Sequence, residues 1–322
     1  MVYWGIYEQD GSTMKHVFIL NPMAGDGKHL AELHKKLKSL DGAELYETTA
    51  PADATRYVRK RCESDSQPIR FYACGGDGTI KEVAEGIVGH PHASMSVYPI
   101  GSGNDFVKYF GGADGFFDLD AITGAEAVDT DIIHIRDDAG VDAYSLNVCN
   151  FGFEAYVAKV MNKVRRKVLI GGKNAYTTGI IAGIFCAMRN RGRVFADGEE
   201  LAPKGVFLLG TAANGGYVGG GYHCAPRASV TDGMLEICLV KPISIFTLLK
   251  LIGVYKAGKH LEDPRFQKYL VYRRAKQLEI SSDKPFAICL DGEIIETTRF
   301  TATAKSGQIR FAAPAEKEPA TV

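Results

Sequence analysis

Several glycine-rich segments of this chain hold an acid or an amide where an anion could sit. The most informative is Gly75-Gly76-Asp77-Gly78-Thr79, which follows the apolar run Ile69–Cys74. Glycines there free backbone N–H groups to face a triphosphate. Asp77 is placed to hold Mg2+, directly or through water, and Thr79 to cap the next helix or to donate to phosphate. Asn21-Pro22-Met23-Ala24-Gly25-Asp26-Gly27-Lys28 also lies between a strand pattern and a helix pattern. It is no Walker A loop, and an ordinary strand–helix turn explains it as well as an anion seat does. Pro99-Ile100-Gly101-Ser102-Gly103-Asn104-Asp105-Phe106 has the same setting. In a parallel sheet all three loops leave the carboxyl ends of strands, where ligands bind. Gly219–Pro226, followed by Asp232-Gly233, reads equally as a flexible hairpin. Asp291-Gly292-Glu293 ends the strand pattern Phe286–Leu290 and reads either as a hairpin turn or as a carboxylate on a rigid platform.

The elements that must position these residues fall into two groups. His16–Asn21, Glu44–Thr48, Ile69–Cys74 and Ser96–Ile100 read as strands, alternating with helices over Lys28–Leu40, Asp53–Glu63 and Thr79–Val88. This order predicts an α/β domain over residues 1–130 with a parallel sheet. Strand patterns then dominate: Ile132–Ile135, Tyr144–Asn150, Val206–Thr211, Met234–Val240, Leu278–Ser281, Phe286–Leu290, Arg299–Ala304 and Gln308–Ala312. Helices are expected over Phe153–Val168, Asn174–Met188 and Ser244–His260. Residues 131–305 therefore read as an antiparallel, sandwich-like domain, with a strand near 306–315 packing back on the first and a polar, disordered tail from 314 to 322.

Balanced charge, with 38 basic and 38 acidic residues, argues against a wholesale nucleic-acid binder, so no nucleic-acid partner is expected. The seven cysteines form no CxxC pair and mostly sit in apolar runs, which suggests reduced core thiols and a cytoplasmic protein. The N-terminus has no signal-peptide pattern, and the apolar stretches Thr178–Met188 and Ile243–Tyr255 are too short to span a bilayer. His90-Pro91-His92 lacks an evident third metal ligand.

Together the segments NPMAG, GGDGT, PIGSGNDF, NVCNFGFEA, AANGGYVGGGYHCAPRASVTDG and LDGE, spread over residues 21–293, resemble the diacylglycerol kinase catalytic-domain family. That family includes bacterial lipid kinases and the sphingosine and ceramide kinases. GGDGT alone is shared with phosphofructokinases and NAD kinases; GSGNDF with the late LDGE selects the lipid kinases. The resemblance implies a phosphofructokinase-like ATP domain, a β-sandwich-like second domain and an active site in the cleft between them. It implies ATP and Mg2+ as cofactors and a lipid alcohol, diacylglycerol foremost, as substrate. Asn21, Pro22, Met23, Ala24, Gly25, Thr48, Gly75, Gly76, Asp77, Gly78, Thr79, Glu82, Gly101, Ser102 and Asn104 would then surround the nucleotide. Asp77 would organise the catalytic Mg2+, supported by Asp105 and by Asp131, with Asp129 the other candidate. Asp291, with Glu293, would carry the catalytic carboxylate. The Ser229 carbonyl, the Asp232 side chain and the Met234 carbonyl would hold a structural Mg2+. Lys81 departs from the usual Asn or His and is placed behind the glycine loop; Tyr222 replaces a more usual Phe or Met.

The rival readings are an NAD or sugar kinase with the same loop and a nucleotide sensor without catalysis. Oligomeric state is open, a homodimer included. Charge distribution suggests a membrane partner. From Ala155 to Ala196 there is no Asp or Glu, whereas Lys159, Lys163, Arg165, Arg166, Lys167, Lys173, Arg189, Arg191 and Arg193 all fall there. Such a block can dock on an anionic bilayer at the inner face of the membrane, delivering a lipid substrate; solvated helix faces are the plainer alternative.

Overall fold

Apolar runs flanked by helices make the first sheet. The computed structural model describes residues 14–25, 27–40, 42–167, 182–184 and 186–315. Strands β1 (Lys15–Leu20), β2 (Ala43–Glu47), β3 (Ile69–Cys74) and β4 (Ala93–Tyr98) run parallel in the order β2-β1-β3-β4. β3 and β4 are buried along their whole length, as strands covered on both faces must be. Helices α1 (Gly27–Leu37), α2 (Asp53–Ser64) and α3 (Asp77–Ile87) supply the crossovers. Their apolar faces place Leu33, Val58 and Val83 in one core with Phe18, Phe71 and Val97. The short helix α4 (Leu119–Gly124) leads into the long strand β5 (Ala127–Asp137).

Beyond β5 the chain is antiparallel. β6 (Asp142–Ser145), β7 (Val148–Gly152), the short β8 to β11 (Asn190–Arg191, Arg193–Ala196, Glu199–Glu200, Val206–Phe207), β12 (Leu209–Ala213), β13 (Tyr217–Val218), β14 (Tyr222–His223), β15 (Leu235–Val240), β16 (Leu270–Ala275), β17 (Gln277–Leu290) and β18 (Glu293–Ala312) follow in order. Helices α5 (Phe153–Lys167), α6 (Ile245–Lys256) and α7 (Pro264–Gln267) interrupt them. Ile133, Ile135, Phe151, Ile237, Leu278, Ile288 and Phe300 fill a second core. The result is an N-terminal α/β half and a β-sandwich-like C-terminal half.

The halves are stitched by β18. Its first part pairs antiparallel with β17, and its last residues return to the first sheet, where Phe311 pairs parallel with Met95 of β4. Ile309 and Phe311 join the first core. β5 accompanies β18 along both stretches, with a register shift between Lys305 and Ile309. Asp131 sits at that irregularity, 2% exposed. Its Oδ1 accepts the Gly307 N–H (3.0 Å) and its Oδ2 the Gly233 N–H (2.5 Å). Gly307 has φ +58°, a left-handed value that favours glycine. Asp131 thus ties β5, β18 and the 230–233 turn together.

Some boundaries differ from those expected. Tyr144–Asn150 is two strands, broken at Leu146-Asn147. Leu278–Ser281 and Phe286–Leu290 are one bent strand, β17, because Ser282–Pro285 forms an irregularity rather than a hairpin. Arg299–Ala304 and Gln308–Ala312 likewise merge in β18. β16 went unread because its residues Tyr272, Arg273 and Arg274 look like loop. Most of Asn174–Met188 lies outside the described residues. All cysteines are free, and Cys186 is exposed, unlike the six buried ones.

Replacing Asp131 by Ala would leave two N–H groups without their acceptor in a buried place. Each such loss costs about 1–3 kcal/mol. Chemical denaturation of Asp131→Ala is expected to show a stability loss of about 2–5 kcal/mol. A loss below about 0.5 kcal/mol would mean the clamp contributes nothing.

Candidate active site

The loops after β1, β3 and β4 approach one another so closely that only glycine fits. A Cβ on Gly25 would lie 2.2 Å from the Ile100 carbonyl oxygen, and one on Gly101 would lie 2.3 Å from the Gly76 Cα. Gly101 N–H donates to the Gly75 carbonyl (3.1 Å). Asn21 accepts the Met23 N–H at Oδ1 (3.0 Å) and reaches Thr79 Oγ1 at 3.4 Å through Nδ2. Asn104, at φ +50°, donates to the carbonyls of Pro99 and Gly101 (2.8 and 2.7 Å). The three loops therefore form one surface at the carboxyl edge of the parallel strands. The first intrahelical bond of α3 runs from Ile80 N–H to the Gly76 carbonyl (3.1 Å). The amides ahead of it, around exposed Gly78, are left for an anion or solvent.

Asp77 stands at that helix start. Its Oδ1 accepts the Asp105 N–H (2.6 Å) and, more weakly, the Phe106 N–H (3.5 Å). Its Oδ2 faces Gly103, where a Cβ would come within 2.6 Å. Burial, then the charges of Asp105 and Asp291, push its pKa up to about 6, against the pull of the backbone hydrogen bonds. Asp105 is buried; Lys108 pairs with its Oδ1, and its Oδ2 accepts the Gly220 N–H (2.8 Å). That last bond brings the fourth glycine segment, the β13–β14 hairpin, onto the first half of the molecule.

Asp291 enters from the opposite side, at the turn between β17 and β18, with φ +49°. Its carboxylate accepts from Ser145 Oγ (2.9 Å) and from the amides of Leu146 (2.7 Å), Asn147 (3.2 Å) and Val148 (2.8 Å). These donors are the break between β6 and β7. Burial raises the pKa of Asp291, and the hydrogen bonds and Lys81 oppose the rise. Lys81, on α3 just after the loop and 7% exposed at its side chain, reaches the second half: its Nζ meets Glu293 Oε2 at 2.8 Å and Glu85 at 3.4 Å. Burial disfavours the ammonium, yet Glu293, Glu85 and Asp291 outweigh that and raise its pKa.

Other expected residues have different partners. Glu82 spends its oxygens on the Ala52 and Ala54 amides (2.9 and 3.2 Å), capping α2. Thr48 binds the Leu20 carbonyl. Ser102 is exposed on the loop surface and Met23 is 91% exposed. Asp131 is the seam clamp described above, and neither of its carboxylate partners belongs to the Asp77 cluster. Asp129 faces solvent, 3.8 Å from Arg310. Asp232 accepts the Met234 N–H (3.0 Å) and ion-pairs with Arg274, which also meets buried Glu236 at 3.0 Å. A cation on Asp232 would take the place of that half-exposed guanidinium. Of the basic block, the side chains of Arg165, Arg166 and Lys167, and all of Lys173, lie outside the described residues; Lys159 pairs with Glu296 and Arg193 with Glu200.

Sequence reasoning did not find the amides of residues 146–148 or of Gly220, because a backbone donor has no residue-type signature. Lys108 was findable: it lies three residues after Asp105, at helical spacing. No helix among the described residues is long and apolar enough to cross a membrane.

Residues 15–135 match the diacylglycerol kinase catalytic domain, and residues 147–313 match the YegS C-terminal NAD kinase beta sandwich-like domain. The chain is 28% identical over 318 residues to a "Probable lipid kinase YegS-like" of Chromohalobacter salexigens, covering 95% of this chain and 94% of the relative. It is 26% identical over 264 residues to the protein of the same description from Alcanivorax borkumensis, covering 81% and 84%. Its fold is similar to that of a diacylglycerol kinase from Bacillus anthracis str. Sterne, with a TM-score of 0.65 at 19% identity over 94% of this chain and 97% of that one. The chain therefore belongs to the diacylglycerol kinase catalytic-domain family of lipid kinases, in the form that carries the YegS-type C-terminal domain.

Proposed function

We propose that this protein transfers the γ-phosphate of ATP, with Mg2+, to the hydroxyl of a membrane lipid, diacylglycerol being the favoured substrate. The observation that carries this reading is the convergence of Asp77, Asp105 and Asp291 on one cleft, beside a helix N-terminus with free amides. Three carboxylates whose charges oppose one another form a donor set suited to a divalent cation. Asp77, with Asp105 beside it, would hold Mg2+, which when bound neutralises phosphate charge.

The rest of the chemistry belongs to the chain. The α3 amides and the interlocked glycine loops seat the phosphates and keep water ordered around them. Asp291 accepts the proton of the lipid alcohol. Its three amide donors are backbone and fixed, but Ser145 Oγ is a side-chain donor that a substrate hydroxyl can replace. A weak base suffices, because the alcohol loses its proton late in a loose phosphoryl-transfer transition state. Lys81 holds Glu293 at the cleft edge and so steadies the turn that presents Asp291.

One observation favours a second reading: the C-terminal match is described by its likeness to NAD kinase. Incubation with labelled ATP and either a lipid extract or NAD separates the two. Label in the lipid phase supports the proposal; label in NAD alone would overturn it.

Asp291→Asn is expected to lower kcat by about 10²–10⁴-fold with ATP affinity unchanged, and Ser145→Ala to keep activity within a few-fold. If Asp291→Asn abolishes ATP binding while kcat survives, the proton-acceptor role is wrong. For Asp77 the folded protein holds the proton more tightly than the unfolded chain, because its pKa rises from 3.8 to about 6. Stability should then fall as pH rises across that interval, and stay lowered above it. Without nucleotide or divalent cation, Asp77→Asn should be more stable than the parent at pH 8, by on the order of 2 kcal/mol, and close to it at pH 4. The same variant should lose turnover by about 100-fold or more. A lower melting temperature than the parent at pH 8 would show that the Asp77 charge is not a destabilising one.

A further inference from the structure

Helix α6 is apolar on the face it buries and apolar again on the face it shows to solvent. Leu248, Leu251 and Tyr255 are buried. At about 100° per residue, Phe246 and Gly253 lie on the opposite side, with Leu249 beside them and Ile245 on the flank. Phe246 is 79% exposed, Leu249 58% and Ile245 40%. A soluble helix normally puts charge there. Lys250 borders the strip on one side, and Lys256 follows it in the last turn, in angular line with Ile245 and Leu249. No Asp or Glu occurs between Glu236 and Glu262, a stretch that holds Lys241, Lys250, Lys256 and Lys259. None of these lysines joins an ion pair among the described residues.

We infer that α6 is a membrane-docking element that inserts Ile245, Phe246 and Leu249 into the surface of an anionic bilayer, with the flanking lysines on lipid phosphates. An outward apolar strip bordered by long basic side chains suits the boundary between headgroups and acyl chains, and the uncompensated positive charge selects an anionic surface. A second copy of the chain would bring the same lysines against themselves. The position also fits delivery of substrate. Lys256 Nζ lies over the Tyr222 ring (5.5 Å), and a Cβ on Gly258 would fall 2.5 Å from His223 Nδ1. Tyr222 and His223 form β14, the hairpin whose Gly220 amide binds Asp105. A bilayer under α6 would thus be separated from the carboxylate cluster by one hairpin. This inference rests on the reading of the chain as acting on a lipid, but its test does not use catalysis.

Phe246→Trp places a reporter on the strip, read as the difference from the parent, whose single tryptophan is Trp4. With vesicles of phosphatidylcholine containing phosphatidylglycerol, the reporter's emission should shift to the blue and be quenched by brominated acyl chains. Pure phosphatidylcholine should give a smaller effect, and added salt should weaken binding to the anionic vesicles. Phe246→Ser with Leu249→Ser should lower the vesicle-bound fraction by about tenfold without lowering the melting temperature, because both side chains are already in water. Lys250→Glu with Lys256→Glu should lower it on anionic vesicles only. Unshifted reporter emission in the Phe246→Trp variant, while that variant sediments with vesicles, would overturn the inference and place docking elsewhere, the 155–196 block included. So would a dimer in size-exclusion chromatography that the double serine variant splits. Docking through α6 by a protein that labels no lipid would leave the inference standing and remove the lipid-kinase proposal instead.

Discussion

Backbone amides, more than cations, hold the acids of this molecule in place, and the arrangement of the two halves depends on it. Asp77 takes the amide of Asp105; Asp105 takes that of Gly220; Asp131 takes those of Gly233 and Gly307; Asp291 takes those of Leu146, Asn147 and Val148. In each case the donor comes from a distant part of the chain. A charged acceptor on a neutral donor makes a strong bond without cancelling the charge. The aspartates can therefore fasten segments together and still present negative potential to the cleft. An arginine in their place would tie the same strands but leave no seat for a divalent cation.

The glycines follow from the same constraint. Amides can reach a carboxylate only if their backbones come close, and a side chain would intervene. Gly101 against Gly76 and Gly103 against Asp77 show it directly, for a Cβ at either place would overlap a neighbour. The positive φ of Asn104 and of Asp291 belongs here as well. Both are short polar residues that tolerate that region, and each offsets the strain with hydrogen bonds, donated by the Asn104 amide and accepted by the Asp291 carboxylate.

How much of this could be read from the residues depends on whether a side chain or a backbone carries the interaction. The parallel half was legible, since Phe71 to Cys74 and Val97 are apolar on both faces and Leu30, Leu33 and Leu37 repeat at helical spacing. The glycine loops and their acids were legible by type and order. Not legible was the break at Leu146-Asn147, where apolar neighbours read as continuous strand; only the incoming Asp291 explains it. Ser282–Pro285 and Ser306–Gly307 carry strong turn signals, yet long pairing with β18 and β5 overrides them and leaves bulges. Lys81 reads only as a helix position behind the glycine loop, and its ion pair depends on Glu293, 212 positions away. For Glu82 the resemblance implies a place at the nucleotide; its capping of α2, whose start at Ala52 has φ +60° and no side-chain cap of its own, has no signal in the residues.

The seam also limits how the halves can move. β5 and β18 pass through both, so a free hinge between independent domains is not available without breaking sheet pairs around Asp131. Outside the seam, the cleft is spanned by side-chain and hairpin contact: Lys81 to Glu293, and Gly220 to Asp105. The hairpin is rich in glycine, so its contact can open at small cost while the seam stays closed, whereas parting Glu293 from Lys81 would leave a buried ammonium with Glu85 alone. Adjustment for a bound substrate is then expected at the hairpin, the element that lies between α6 and the acids. The rigid part of the structure positions the carboxylates, and the compliant part is the one placed toward the side from which a lipid would arrive.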